Sequence, residues 1–141
     1  MRIELDQKIQ VKDKNVYYTV VSYHRNSSLQ NKSKWTISRL DEFNCFAYSE
    51  EKEWLINHQG WGVIPDGNKL IELGKNSESE KLYISKFVDS EENNIWHGYP
   101  ADYRRNTQDI PTTQILTNWY NDGLIKKHHI LKIKRGKKCN L

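Results

Sequence analysis

The densest concentration of groups able to transfer protons or hold phosphate lies in the decapeptide Trp96-His97-Gly98-Tyr99-Pro100-Ala101-Asp102-Tyr103-Arg104-Arg105. A histidine, two phenols and two adjacent guanidiniums are what metal-independent RNA cleavage requires: proton transfer at the 2′-hydroxyl and charge stabilisation at the phosphate. His97, if near its ordinary pKa, supplies one acid or base. His24, at the end of a predicted strand, is the candidate for the second. Tyr99 and Tyr103 have another use that asks for less geometry, stacking on bases beside Arg104 and Arg105. No fixed spacing marks either chemistry, and a Trp/Tyr-rich strand end followed by a turn has the same composition.

Charge along the chain is uneven. The formal net charge of the 141 residues is +4. Residues 1–102 carry 13 Lys/Arg against 16 Asp/Glu, whereas residues 103–141 carry nine against two. The nine are Arg104, Arg105, Lys126, Lys127, Lys132, Lys134, Arg135, Lys137 and Lys138, opposed by Asp109 and Asp122. A patch of this sort raises the local concentration of polyanions and is the electrostatic footprint of nucleic-acid binding. A lysine-rich solvated terminus that only keeps a chain soluble looks the same in sequence.

Other chemistries find little support. There is no G-x-x-x-x-G-K-[ST], no G-x-G-x-x-G and no G-x-S-x-G, so nucleotide cofactors and hydrolase elbows are not expected. His128 and His129 are adjacent and would point about 100° apart on a helix, with no Cys or His at zinc-ligand spacing, so no metal is expected. The acidic run Glu50, Glu51, Glu53 reads as a solvated helix start. Cys45 and Cys139 are distant and outside any C-x-x-C pattern, which suits free thiols in a reducing compartment. No apolar run approaches the roughly 18 residues of a membrane span, and MRIELDQKIQ is no signal-peptide core. The expectation is a cytoplasmic protein with nucleic acid, DNA or RNA, as its partner, and without a membrane.

The tail also carries a motif. Gln114 to Gly136 resembles the helix-turn-helix of repressor-like DNA-binding proteins through Gln114 and Leu116 in a first helix and Gly123 and Leu124 in the turn. Residues 126–135 fit either a helix, with Ile130 and Ile133 on its inner face, or a strand through Leu131 and Ile133; as a helix they supply the motif's second element, closed by Lys134-Arg135-Gly136-Lys137. The resemblance implies that the turn glycine lets two helices cross while the apolar pair locks the second, leaving its polar face free for a groove. Ile130 and Gly136 lie one residue farther from Gly123 than that pattern has them, and Thr117 replaces the usual small residue at the crossing.

These groups need a scaffold, and five Trp and eight Tyr favour pleated surfaces for it. Ile3, Leu5, Ile9 and Val11 alternate with polar residues, predicting a strand; after a turn at residues 12–15, Val16 to Tyr23 predicts its antiparallel partner. Residues 24–33 read as loop, and Trp35 and Ile37 as a third strand. Ser49 reads as the N-cap of a short helix over Trp54, Leu55 and Ile56 that Gly60 closes. Ile64-Pro65-Asp66-Gly67-Asn68 predicts a hairpin turn, joining Trp61–Ile64 to Lys69–Leu73. Lys81 to Val88 and Ile95 to Tyr99 predict another hairpin around Glu91 to Asn94. Pro111 opens a first tail helix with Asp109 as cap, Ile115, Leu116, Trp119 and Tyr120 as its apolar stripe, and Gly123 at its end.

Strands first and helices last predict an α+β fold: a mainly antiparallel sheet of six to seven short strands, one short internal helix and a C-terminal helical hairpin. Residues 1–141 read as a single domain, mainly β over 1–102 with a basic helical tail over 103–141. The expected function is nucleic-acid binding by that tail. The alternatives are a toxin-like ribonuclease using His97 and His24, and a protein-interaction module with an aromatic surface.

Overall fold

Alternation of apolar and polar residues builds most of the scaffold. The computed structural model describes residues 2–26 and 31–141, so residues 27–30 of the expected loop lie outside the described residues. The chain is α+β, with strands β1 (Lys8–Gln10), β2 (Tyr17–Thr19), β3 (Lys34–Trp35), helix α1 (Arg39–Glu51), β4 (Leu55–Ile56), β5 (Gln59–Gly62), β6 (Pro65–Asp66), β7 (Lys69–Leu70), β8 (Gly74–Lys75), β9 (Lys81–Leu82), β10 (Ile84–Val88) and β11 (Ile95–Ala101). Helices α2 (Thr113–Asn121) and α3 (Lys127–Lys134) follow. The main sheet has the order β1-β2-β11-β10-β5-β4. Its neighbours are antiparallel except β2 and β11, which run parallel with Tyr17 opposite Ile95. Strands β3, β8 and β9 form a second small sheet, and β6 and β7 a hairpin at the expected place but tighter than expected: Pro65 and Asp66 are in its strand, with Pro65 opposite Leu70 and Gly67 at φ +64° in its turn, and Trp61 belongs to β5 of the main sheet.

Helices cover both faces of the main sheet, because the pleat sends alternate residues of β10 and β11 to opposite sides. Phe87 and Trp96 join Phe46 of α1, Tyr18 and Val20 in one core; Ile84 and Ala101 join Trp54, Trp61, Ile115, Leu116 and Trp119 in the other. Contact with α1 requires glycine at position 62, where a Cβ would fall 2.2 Å from Ser49 Oγ.

The internal helix is not where the sequence pattern put it. Ser38 is the N-cap, its hydroxyl accepting from the Asp41 N–H at 3.0 Å, with Asp41 and Glu42 in the favoured first turn. Ser49 is near the C-terminal end, donating to the Cys45 carbonyl at 2.7 Å. Leu55 to Gly62 is a β-hairpin instead, turning at Asn57 and His58, both at positive φ. Glu50 and Glu51 therefore end a helix rather than start one, and Lys14 and Lys12 pair with them at 2.7 and 3.8 Å. The inner face of α1 is Glu42, Cys45, Phe46 and Ser49, the i, i+3, i+4, i+7 set with only half of it hydrocarbon or thiol-like. Glu42 is fully buried between the Tyr18 hydroxyl (2.5 Å) and the Arg25 guanidinium (2.8 and 3.1 Å).

Candidate nucleic-acid interface

The tail begins with a buried anchor. Asp109 is 2% exposed and accepts from the Tyr99 hydroxyl at 2.7 Å and the Asp102 N–H at 2.9 Å, while its carbonyl accepts from Trp61 Nε1 at 3.0 Å. It is thus a loop-organising residue and not the cap of α2. That cap is Thr112, accepting from the Ile115 N–H at 3.4 Å, and Pro111 stands outside the helix. Ile115, Leu116 and Trp119 face the core, with Trp119 edge-on to Trp54 at 5.7 Å. Tyr120, expected in the same stripe, is 42% exposed. Gly123 takes φ +75° just past α2, and Gly136 takes φ +67° past α3, as their positions in the sequence predict.

Between the two helices lie five residues, 122–126, more than the three or four of a helix-turn-helix turn. The second helix is held by His129 and Ile133, both buried, with Ile130 half-buried beside them. His129 Nδ1 accepts from the Lys126 N–H at 2.9 Å, closing the start of α3. Burial, with His128 and Lys126 nearby, holds the His129 pKa below the ordinary histidine value and suits this acceptor role. The likeness to the repressor motif therefore covers two adjacent helices and a left-handed glycine, and departs in the turn and in the locking residues.

This anchoring leaves Lys126, Lys127, Lys132, Lys134, Arg135, Lys137 and Lys138 exposed, and none of the seven forms an ion pair among the described residues. Arg104 and Arg105 are different. Arg105 Nη2 lies 2.7 Å from both Glu78 and Glu80, its Nε lies 3.6 Å from Asp102, and Arg104 reaches Glu80 at 3.3 Å. Three carboxylates surround two guanidiniums, so these arginines are occupied by their own chain. Tyr103 is also engaged, its hydroxyl donating to the Lys137 carbonyl at 2.8 Å with Cys139 Sγ at 3.5 Å. Burial raises its pKa, and it serves as a post for the segment after α3.

His24 and His97, far apart in sequence, do converge. Tyr23 meets the His24 ring at 5.4 Å and the His97 ring at 6.5 Å, and Tyr99 stacks on His24 at 5.0 Å. Tyr99 is thereby committed through both its ring and its hydroxyl. His24 Nδ1 lies 3.0 Å from the Ser33 carbonyl, which fixes that nitrogen as the donor. Burial, reinforced by Lys32, Lys34 and His97, pushes the His24 pKa down to about 4, and burial lowers that of His97 too. At neutral pH the pair offers two bases and no acid, contrary to the ordinary pKa expected of His97.

A cleft of about 930 Å³ opens between α3 and the strands. Lys126, His128, Lys132 and Lys138 of the tail and Lys69, Lys81 and Tyr83 of the strand region line it, with Leu70, Leu82 and Leu124 among its apolar lining. The strand-side lysines escape a sequence reading because they belong to separate strands, with no local spacing to relate them. The five tryptophans are all buried, between 0 and 6% exposed, whereas Tyr23, Tyr48 and Tyr120 are exposed. Both cysteines are free, and burial pushes the Cys45 thiol up to about 12. Among the described residues no helix is long and apolar enough to cross a membrane, and no three His, Cys, Asp or Glu side chains gather as a metal site. No protein-family model, curated protein or solved structure matches the chain.

Proposed function

We propose that the protein binds nucleic acid through α3 and the segment that follows it. The observation that carries this reading is the seven-cation surface from Lys126 to Lys138, exposed and without ion pairs among the described residues. Asp122 is the one acidic residue after Asp109. Unpaired lysines on a helix fixed by His129 and Ile133 neutralise phosphates without first giving up a protein carboxylate, and counterion release favours the complex. Arg104 and Arg105 belong to the scaffold in this reading. The test is fluorescence anisotropy with labelled single-stranded DNA, single-stranded RNA and duplex at 50 mM salt: at least one is bound with a Kd below about 10 μM, within the range of non-specific binding at such salt. Failure of all three overturns the reading.

The convergence of His24 and His97 around Tyr23 favours a second reading, RNA cleavage. With His24 held near pKa about 4 and His97 below its ordinary value, one ring can be protonated and the other neutral only in mildly acid solution. Cleavage with an acid optimum that disappears in His97→Gln would establish it; the primary reading expects no cleavage above background.

A further inference from the structure

We propose that the cleft between α3 and the strands is a binding channel for single-stranded nucleic acid, so that the ligand is an unpaired strand and not a duplex. This deepens the reading above and rests on it. In duplex readout by a helix pair, the N-terminal residues of the second helix touch base edges in the major groove. Here two of the corresponding residues, Lys126 and His128, line a concave space together with Lys69, Lys81 and Tyr83 of the strands. These residues therefore lie in a concavity, where the curved wall favours a thin, flexible ligand. A single strand can bend into the cleft, because its backbone is flexible and its bases are free to turn.

The lining chemistry suits such a strand. Lys69, Lys81, Lys126, Lys132 and Lys138 are exposed, and none forms an ion pair among the described residues. They come from the strands as well as from the tail, so the positive charge of the cleft is not that of one helix face alone. The carboxylates of the cleft, Glu80 and Asp102, are held by Arg104, Arg105 and Asn76, so the lysines keep their charge for a ligand. Tyr83 is half-buried in the lining, which also includes Leu82 and Leu124, so the cleft combines exposed cations with an aromatic residue, the chemistry by which unpaired strands are held. The volume lies at the upper end of the roughly 300 to 1,000 Å³ of ligand pockets, more than one small anion would fill.

The cleft divides the cations into two sets. Lys69, Lys81, Lys126, Lys132 and Lys138 line it, whereas Lys127, Lys134, Arg135 and Lys137 do not. Lys69 and Lys81 lie outside the tail, so a tail acting alone would not depend on them.

The experiment measures anisotropy of a labelled single-stranded decanucleotide, of a duplex of the same sequence, and of the decanucleotide with AMP as competitor. The wild type is compared with Lys69→Ala/Lys81→Ala and Lys127→Ala/Lys134→Ala, with circular dichroism to verify the fold. All four positions are exposed, and Tyr83→Phe, which keeps the ring, serves as a further check that stacking and not the hydroxyl matters. The wild type binds the single strand at least about tenfold more tightly than the duplex. The Lys69/Lys81 variant loses about tenfold and flattens the salt dependence by about 1.4 in log–log slope, as two lost phosphate contacts on a single strand would give. The Lys127/Lys134 variant loses less than about threefold, and Tyr83→Phe binds as the wild type does. Duplex binding as tight as single-strand binding, or a Lys69/Lys81 variant that binds normally, overturns the channel and leaves binding by the tail standing. AMP competing at the oligonucleotide's own Kd overturns it in favour of a free-nucleotide site. Binding of no oligonucleotide at all removes both readings.

Discussion

The two positively charged stretches of the tail meet opposite surroundings. Arg104 and Arg105 follow β11 and face the turn bearing Glu78 and Glu80, where every guanidinium contact described is to a carboxylate of the same chain. From Lys126 to Lys138 the side chains leave α3 and the residues flanking it, the helix being held on its inner face by His129 and Ile133, and no carboxylate answers them among the described residues. Formal charge is additive along a sequence, but free charge is not. The arginines fasten residues 102–105 to the β8–β9 turn, and the lysines hold the charge available to a polyanion.

The largest effect comes from undoing the platform on which the unpaired set stands. Trp119 is fully buried against Trp54, so Trp119→Ala destabilises the protein by about 3 to 5 kcal/mol in chemical denaturation. Nucleic-acid affinity falls with it. A loss below about 1 kcal/mol would mean that α2 and α3 are not docked.

A paired arginine in the core gives the next effect. Arg25 meets the buried Glu42, whose carboxyl burial pushes up to about 7 against the opposing hydrogen bonds of Tyr18 and Arg25. Arg25→Met leaves that carboxylate without its cation and costs about 3 kcal/mol at pH 8. Its sign with pH is fixed. A carboxyl whose folded pKa lies above the unfolded value binds its proton more tightly when folded, so stability is lost as pH rises through the folded pKa. The variant, with Glu42 raised further, recovers toward pH 5, and denaturation at pH 5 and 8 reads the difference.

On the surface the contrast can be broken from either side. Lys132→Glu with Lys138→Glu weakens binding of a single-stranded oligonucleotide by at least about tenfold at 100 mM salt, since two attractions become two repulsions. Glu78→Gln with Glu80→Gln releases the arginines and tightens binding by about two- to fivefold. Arg104→Ala with Arg105→Ala changes the same affinity by less than about twofold, the smallest effect, because the charge removed was already paired. A large loss in that variant would place the arginines at the interface.

The sequence made the α+β class, the β10–β11 hairpin and the first tail helix legible because their apolar residues repeat with the period of the element, with Gly123 at positive φ past α2; the second tail segment, where Leu131 and Ile133 also fit a strand, is the helix α3 ending at Gly136. Helix α1 was hidden by its own inner face: buried Glu42 and Ser49 look like surface residues until Tyr18 and Arg25, from distant segments, are placed beside them. Ser38 followed by Asp41 and Glu42 was its readable signal. The Asn57-His58 turn escaped because it contains no glycine, although both residues adopt positive φ. At the candidate site, the cations of α3 were legible as a run. Their separation from Arg104 and Arg105 depends on Glu78 and Glu80, and the presence of Lys69 and Lys81 in the same cleft depends on strand placement, both long-range facts.

Salt dependence tests the central claim most directly, because it counts the phosphates that unpaired cations neutralise. Affinity for a single-stranded oligonucleotide between 50 and 300 mM monovalent salt falls with a log–log slope at least as steep as about −2.5, close to the value for four phosphates on a single strand. A shallower slope, or no binding at 50 mM, contradicts nucleic-acid recognition by the lysines of the tail.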